Sequence, residues 1–196
     1  MSRIRMLAVF TAIAALALAG VSLAATTAKH VTGGTATMTI TPAASTALSN
    51  HHMTITPIAP ATASGSTLTF PISGGRVNAK LHGHLAFSGG FTISNGTQTV
   101  QLRRLRVVSN ASGVFLRARV AKRVHNHNGH FRVEYSDALI ARVTGVHVSH
   151  GTGTGTGTGT VRLTSASASV INKLAGTKIA RRGTPVATGT VTPTTT

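Results

Sequence analysis

The pentapeptide Met-Thr-Ile-Thr-Pro occurs twice, at Met38–Pro42 and again at Met53–Pro57. Large apolar residues alternate with threonine, the period of a strand with one buried and one wet face, and proline ends each copy by removing a ladder donor. Residues 43–50 between the copies are short and Ala-rich, with Leu48 the only large apolar residue, and read as one or two helical turns.

The same alternation recurs between turn signals down the chain. Strand candidates cover residues 68–72, 81–87, 91–94, 99–108, 114–120, 131–135 and 139–148, separated by Gly74-Gly75, Gly89-Gly90, Asn95-Gly96 and the 110–113 turn. Pro71 confines the first of them to an edge or a bulge. Strand 161–164, a short Ala/Ser-rich helix with Val170, Ile171 and Leu174 on its apolar side, and strand 184–191 close the series. Strand, short helix, strand thus occurs at both ends, which predicts that the two ends pack together. The expected fold is all-β, an antiparallel β-sandwich with one or two short helices, over residues 36–191. Residues 25–35 are small and polar and read as a flexible arm, and residues 192–196 as a Thr/Pro tail. Residues 151–160 are five Gly-Thr dipeptides, read as a low-complexity hairpin tip or linker because alternate glycines raise the entropy cost of ordering.

Residues 1–24 read as a secretory signal peptide: Arg3 and Arg5, an apolar run from Met6 to Leu18, then Ser22-Leu23-Ala24 as a cleavage site. An uncleaved segment of this kind would anchor the chain to a membrane. No cysteine is present, so thiolate chemistry and disulfides are excluded. Lysine and arginine number 19 against two acids, Glu134 and Asp137, for a formal charge of +17. Carboxylate cages for calcium, paired glycosidase carboxylates and acid-oriented triads have too few acids to form. No nucleophile elbow precedes a helix, so the chain is not read as an enzyme.

The run Leu68-Thr-Phe-Pro-Ile-Ser-Gly-Gly-Arg-Val77, followed by Leu81-His-Gly-His-Leu-Ala-Phe-Ser-Gly-Gly-Phe91, resembles the HtaA-like domain of exported actinobacterial proteins. The closing segment is similar too: Val161-Arg-Leu-Thr164, the Ala/Ser helix with Asn172 and Leu174, then Gly183 and Gly189. The resemblance implies haem binding at the cell envelope, with iron held by a tyrosine that histidine supports, on a motif carrying tryptophan. This chain has no tryptophan, and its N-terminal strands have no tyrosine, so no ligand residue carries over by position.

Candidate residues therefore come from the chemistry of this chain. His82 and His84 stand two apart on one strand candidate, so both imidazoles could reach one metal ion, or else form a solvated edge. His125, His127 and His130 sit in an Asn-rich loop. Tyr135 is the sole tyrosine and lies between the two acids with Arg132 nearby; a phenolate iron ligand wants such positive charge, and an ordinary strand tyrosine is the alternative. Arg104 and Arg106 are expected on one strand face, with Arg117 and Arg119 across the hairpin. Stacked like charges cost stability unless an anion lies over them. Nucleic acid is a poor partner, since no aromatics interleave the arginines. The functional expectation is an exported, non-catalytic binding protein of the envelope, taking haem or a related anionic small ligand. The alternative is a structural protein held to anionic wall polymers by a basic sheet face, with no cofactor.

Overall fold

The computed structural model describes residues 28–78, 82–125, 131–150 and 155–196, with the backbone alone at 122–125, 131–135 and 150. The segment read as a signal peptide lies outside them. In chain order the elements are β1 (Lys29–Ile40), α1 (Pro42–Asn50), β2 (Thr54–Ile58), β3 (Thr62–Ser64), β4 (Thr67–Val77), β5 (Gly83–Phe87) and β6 (Gly90–Ser94). Then come β7 (Thr99–Asn110), β8 (Gly113–His125), β9 (Phe131–His150), β10 (Gly155–Leu163), α2 (Ser165–Ala175) and β11 (Pro185–Thr195).

The strand order β7-β5-β4-β1-β11-β10-β9-β8 returns to β7 through the β7–β8 hairpin, and every pairing is antiparallel. The expected sandwich is therefore a closed eight-stranded barrel. Closure depends on two ladders: the local β7–β8 hairpin and the pairing of the first strand with the last, which runs from Val31↔Thr195 to Ile40↔Ala187. A sandwich would leave those edges open, and closure is the one arrangement that abolishes them. Beyond the ring, β6 and β2 branch from β7, and β3 pairs with β4.

Three segments expected to be irregular belong to this ring. Lys29–Thr35, placed in the flexible arm, is the first part of β1; residues 192–195 of the tail lie in β11. Of the Gly-Thr tract, Gly155–Thr160 lies in β10; Gly155 and Thr156 pair with β9, and from Gly157 the strand is laddered to β11 as well. Ladder hydrogen bonds on both sides and β-branched threonine at alternate positions outweigh the entropy cost of glycine. The remaining tract residues, 151–154, lie outside the described residues.

Side chains set which face turns inward. Leu68, Phe70 and Ile72 of β4, Leu85 and Phe87 of β5, and Phe91 of β6 are buried in one cluster. The Phe70 ring sits 6.5 Å from that of Phe87 and 6.3 Å from that of Phe91. Pro71 is tolerated beside a register shift between Ile72 and Gly74, where the β4–β5 ladder is interrupted. Both helices start from a threonine cap: Thr41 Oγ1 accepts from the Ala44 N–H, and Thr164 Oγ1 from that of Ser167. Gly176 ends α2 in the left-handed conformation. Asn172 ties α2 to the following loop, accepting from the N–H groups of Ile179 and Ala180 and donating to the Ala180 carbonyl.

Candidate functional site

Leu102 and Leu105 are both buried although they stand three apart in a strand. A regular strand cannot do this, so an extra residue must be accommodated between them. Arg104 is that residue: its φ of 49° marks a bulge, and the register to β8 shifts between Arg103 and Arg106. The bulge falls where the neighbours of β7 change, with Gly90 of β6 opposite Arg103 and Ala86 of β5 opposite Arg106.

The bulge decides which arginines face one another. Arg103 stands opposite Arg119, and Arg106 opposite Arg117. The expected sharing of one face by Arg104 and Arg106 is thereby corrected: Arg103 occupies the place given to Arg104, because the inserted residue changes the alternation. The break of period at Leu102 and Leu105 is the signal in the sequence that could have located it.

On the far side of β8, Asp137 stands opposite Arg119 and Leu139 opposite Arg117. Arg106 forms an ion pair with Asp137, the only one among the described residues. Both side chains are close to half exposed, so the pair contributes only ~0–1 kcal/mol. Arg103, Arg104 and Arg119 are exposed, and Arg117 is half-buried with its Nε enclosed and without a hydrogen-bond partner. An enclosed cationic donor of this kind costs free energy until an acceptor reaches it.

The wall continues away from Asp137 through two further arginines. Val108 stands opposite Phe115 on one side and His84 on the other, and His84 opposite Arg76. The Arg142 guanidinium lies 5.4 Å from the Phe115 ring centroid and donates to the Ser112 carbonyl at 2.7 Å. Arg76, Arg103 and Arg142 extend a face that the sequence pattern confines to four arginines.

His82 and His84 do not line a common pocket. His82 is at the rim of the barrel interior, its N–H bonded to Asn78 Oδ1 at 3.0 Å, whereas His84 is exposed on the outer wall. The Tyr135 side chain lies outside the described residues, as do residues 127 and 130 and the side chain of His125. The Tyr135 backbone stands opposite Ala121, itself opposite Gln101, two rungs beyond Arg103, Arg119 and Asp137. From the rung of His84, at Phe115, to that of Tyr135, at Ala121, is six residues of β8, roughly 20 Å. Tyr135 is two rungs from Arg103 and Arg119, and His84 is too far away to share an ion with it. No group of three histidine, aspartate or glutamate side chains gathers among the described residues.

No family model matches this sequence, and no curated protein matches it either. Solved structures do. The C-terminal domain of HtaA from Corynebacterium glutamicum is 15% identical, with a TM-score of 0.63 over 85% of this chain and 98% of that one. The N-terminal domain of the same protein is 16% identical, with a TM-score of 0.61 over 84% and 99%. The haem-binding protein HtaB from that organism is 16% identical, with a TM-score of 0.60 over 86% and 96%. The fold of this chain is HtaA-like.

Proposed function

We propose that this HtaA-like domain is an exported, non-catalytic binding module that takes haem, or a related anionic ligand, on its arginine-bearing wall. The observation that carries this is the pair of facing rungs, Arg103 with Arg119 and Arg106 with Arg117, served by one described carboxylate. Likeness in fold across nearly the whole length of a haem-binding protein supports the same reading.

The residues fit such a ligand by their donor chemistry. Arginine presents a planar fork that matches a carboxylate with two parallel bonds, and Arg117 holds an enclosed Nε that has no acceptor. Arg103, Arg117 and Arg119 would hold the propionate carboxylates, while Arg106 is already engaged by Asp137. Tyr135, two rungs away, would be the side chain at the iron. Haem, when bound, supplies an iron open to an axial ligand. His84 is left out of this role by its distance from Tyr135, and His82 by its place at the rim of the barrel interior.

Titrating the purified protein with haemin is expected to give a saturable Soret change at one equivalent. Tyr135→Ala should abolish it, and His82→Ala and His84→Ala should keep it. A wild-type protein that leaves the haemin spectrum unchanged at stoichiometric ratio sinks the reading.

One observation favours a second reading. The arginines lie on an exposed outer wall that runs on to Arg76 and Arg142, a shape that suits an extended polyanion as well as a compact ligand. In that reading the chain is a structural envelope protein held to phosphate-bearing wall polymers without a cofactor. Retention on isolated cell walls should then fade between low and high salt as exposed charges are screened. Salt-insensitive retention counts against it.

A further inference from the structure

The Gly-Thr tract has a consequence on the other side of the barrel wall. In β10, Gly157 and Gly159 line the interior, and Gly159 stands opposite Gly189 of β11, which stands opposite Met38 of β1. At these three positions β10 and β11 contribute no side chain, although Val143 of β9 leans over Gly159, its Cγ1 2.6 Å from where a Cβ would be. A Cβ built on Gly189 meets only ordinary contacts, the nearest at 3.7 Å, so a methyl group fits there but a larger side chain would enter the interior.

That space is a cavity of about 430 Å³ to which all eight barrel strands contribute. A second cavity of about 400 Å³ lies toward the end covered by α1 and α2. Met38, Phe91, Leu116 and Val161 line both, so the two meet at a common waist. Interiors of folded proteins normally leave few voids larger than a water molecule, whereas ligand pockets occupy ~300–1,000 Å³. An eight-stranded barrel is the size at which the lumen is either filled by side chains or holds one small ligand. Here glycines at alternate positions keep it from being filled.

Polarity along the lumen indicates the kind of occupant. The walls are aliphatic and aromatic. Gly83 stands opposite Ser109, which brings His82, Ser109 and Asn110 to one rim of the first cavity. Leu139 and Val146, the two exposed large hydrophobic residues among those described, each line one of the two cavities. An apolar passage with polar side chains at one rim matches a ligand with a hydrocarbon chain and a single polar head.

We propose that the barrel lumen binds the chain of a long-chain monocarboxylate, its head group at His82 and Asn110. This site is separate from the arginine wall, whose residues face outward. The probe is 11-(dansylamino)undecanoic acid, whose emission rises in an apolar site, added to the full chain and displaced by palmitate. Saturable one-to-one emission is expected in the wild type, with displacement by palmitate.

Gly189→Leu places a side chain in the lumen and should weaken the probe by about tenfold or more, as overpacking of a filled site does. Gly189→Ala, with only ordinary contacts, should stay within about threefold. Leu116→Trp narrows the waist from another strand and should repeat the loss if Gly189→Leu fails to fold. None of these should alter the haemin response, and Tyr135→Ala should not alter the probe, so the two sites fail separately. Absence of saturable emission in the wild type, absence of displacement by palmitate, or unchanged affinity in a folded lumen-filling variant overturns the proposal.

Discussion

Gly90→Ala is expected to lower the unfolding free energy by about 3–5 kcal/mol, at the severe end for a single substitution. The added Cβ would lie 2.0 Å from the Leu102 carbonyl oxygen and 3.1 Å from the Arg103 Cα. Those atoms are backbone in a paired strand and cannot step aside as a flexible side chain can. Gly90 stands opposite Arg103, so relief requires β6 to separate from β7 beside the bulge. Urea unfolding followed by far-UV circular dichroism measures the loss. Gly189→Ala is the matched control: the same methyl group, added where nothing is closer than 3.7 Å, should change stability by no more than about 1 kcal/mol. Equal midpoints for the two variants would mean that β6 does not approach β7 as described. Because Gly90 borders the bulge, its replacement should also disturb the facing of Arg103 and Arg119.

Much of the barrel is legible in the local pattern of the sequence. Period-two alternation locates most of the strands; the two short helices and the packing of the two chain ends follow from the strand–helix–strand pattern at each end. Closure is not legible, because it depends on partner choice between distant strands, and alternating apolar residues look the same facing a second sheet or a lumen. Lys29–Thr35 and Gly155–Thr160 have the composition of irregular chain, since glycine and small residues weaken an isolated strand; ladders to neighbouring strands, on two edges over most of each segment, reverse that balance.

The candidate site divides along the same line. A hairpin bearing arginines on both strands is a local feature and is visible in the sequence. Its registry is not, because one inserted residue at Arg104 exchanges Arg103 for Arg104 in the facing rung. Spacing alone pairs the two histidines. The extended glycine between them, Gly83, has φ of 141°, a conformation side-chain-bearing residues rarely adopt, and simple alternation does not anticipate it. The lumen cannot be read at all, since an absence of side chains at three positions becomes a cavity only once those positions face one another.

Arg103→Ala combined with Arg119→Ala is expected to weaken haemin binding by about a hundredfold, taking ~1.5 kcal/mol for each charge-assisted contact. Arg104→Ala, which removes the same kind of exposed charge from the bulge rather than from the facing rung, should change affinity by no more than about threefold. Long-range attraction by net charge alone would make single losses of charge equivalent wherever they occur on this wall, so Arg103→Ala compared with Arg104→Ala separates a shaped site from a diffuse field. A folding defect is excluded by the sign of the stability change. Arg103 and Arg119 stand opposite each other with like charge, and that arrangement is destabilising by roughly 0.2–1 kcal/mol. Relieving it should leave the ligand-free double variant at least as stable as the wild type in thermal unfolding, even as affinity falls. A surface selected for folding would not retain that repulsion, whereas a surface that an anion covers would have it cancelled on binding. Loss of affinity together with loss of stability would place these arginines among the structural contacts of the barrel and remove the case for a ligand on this wall.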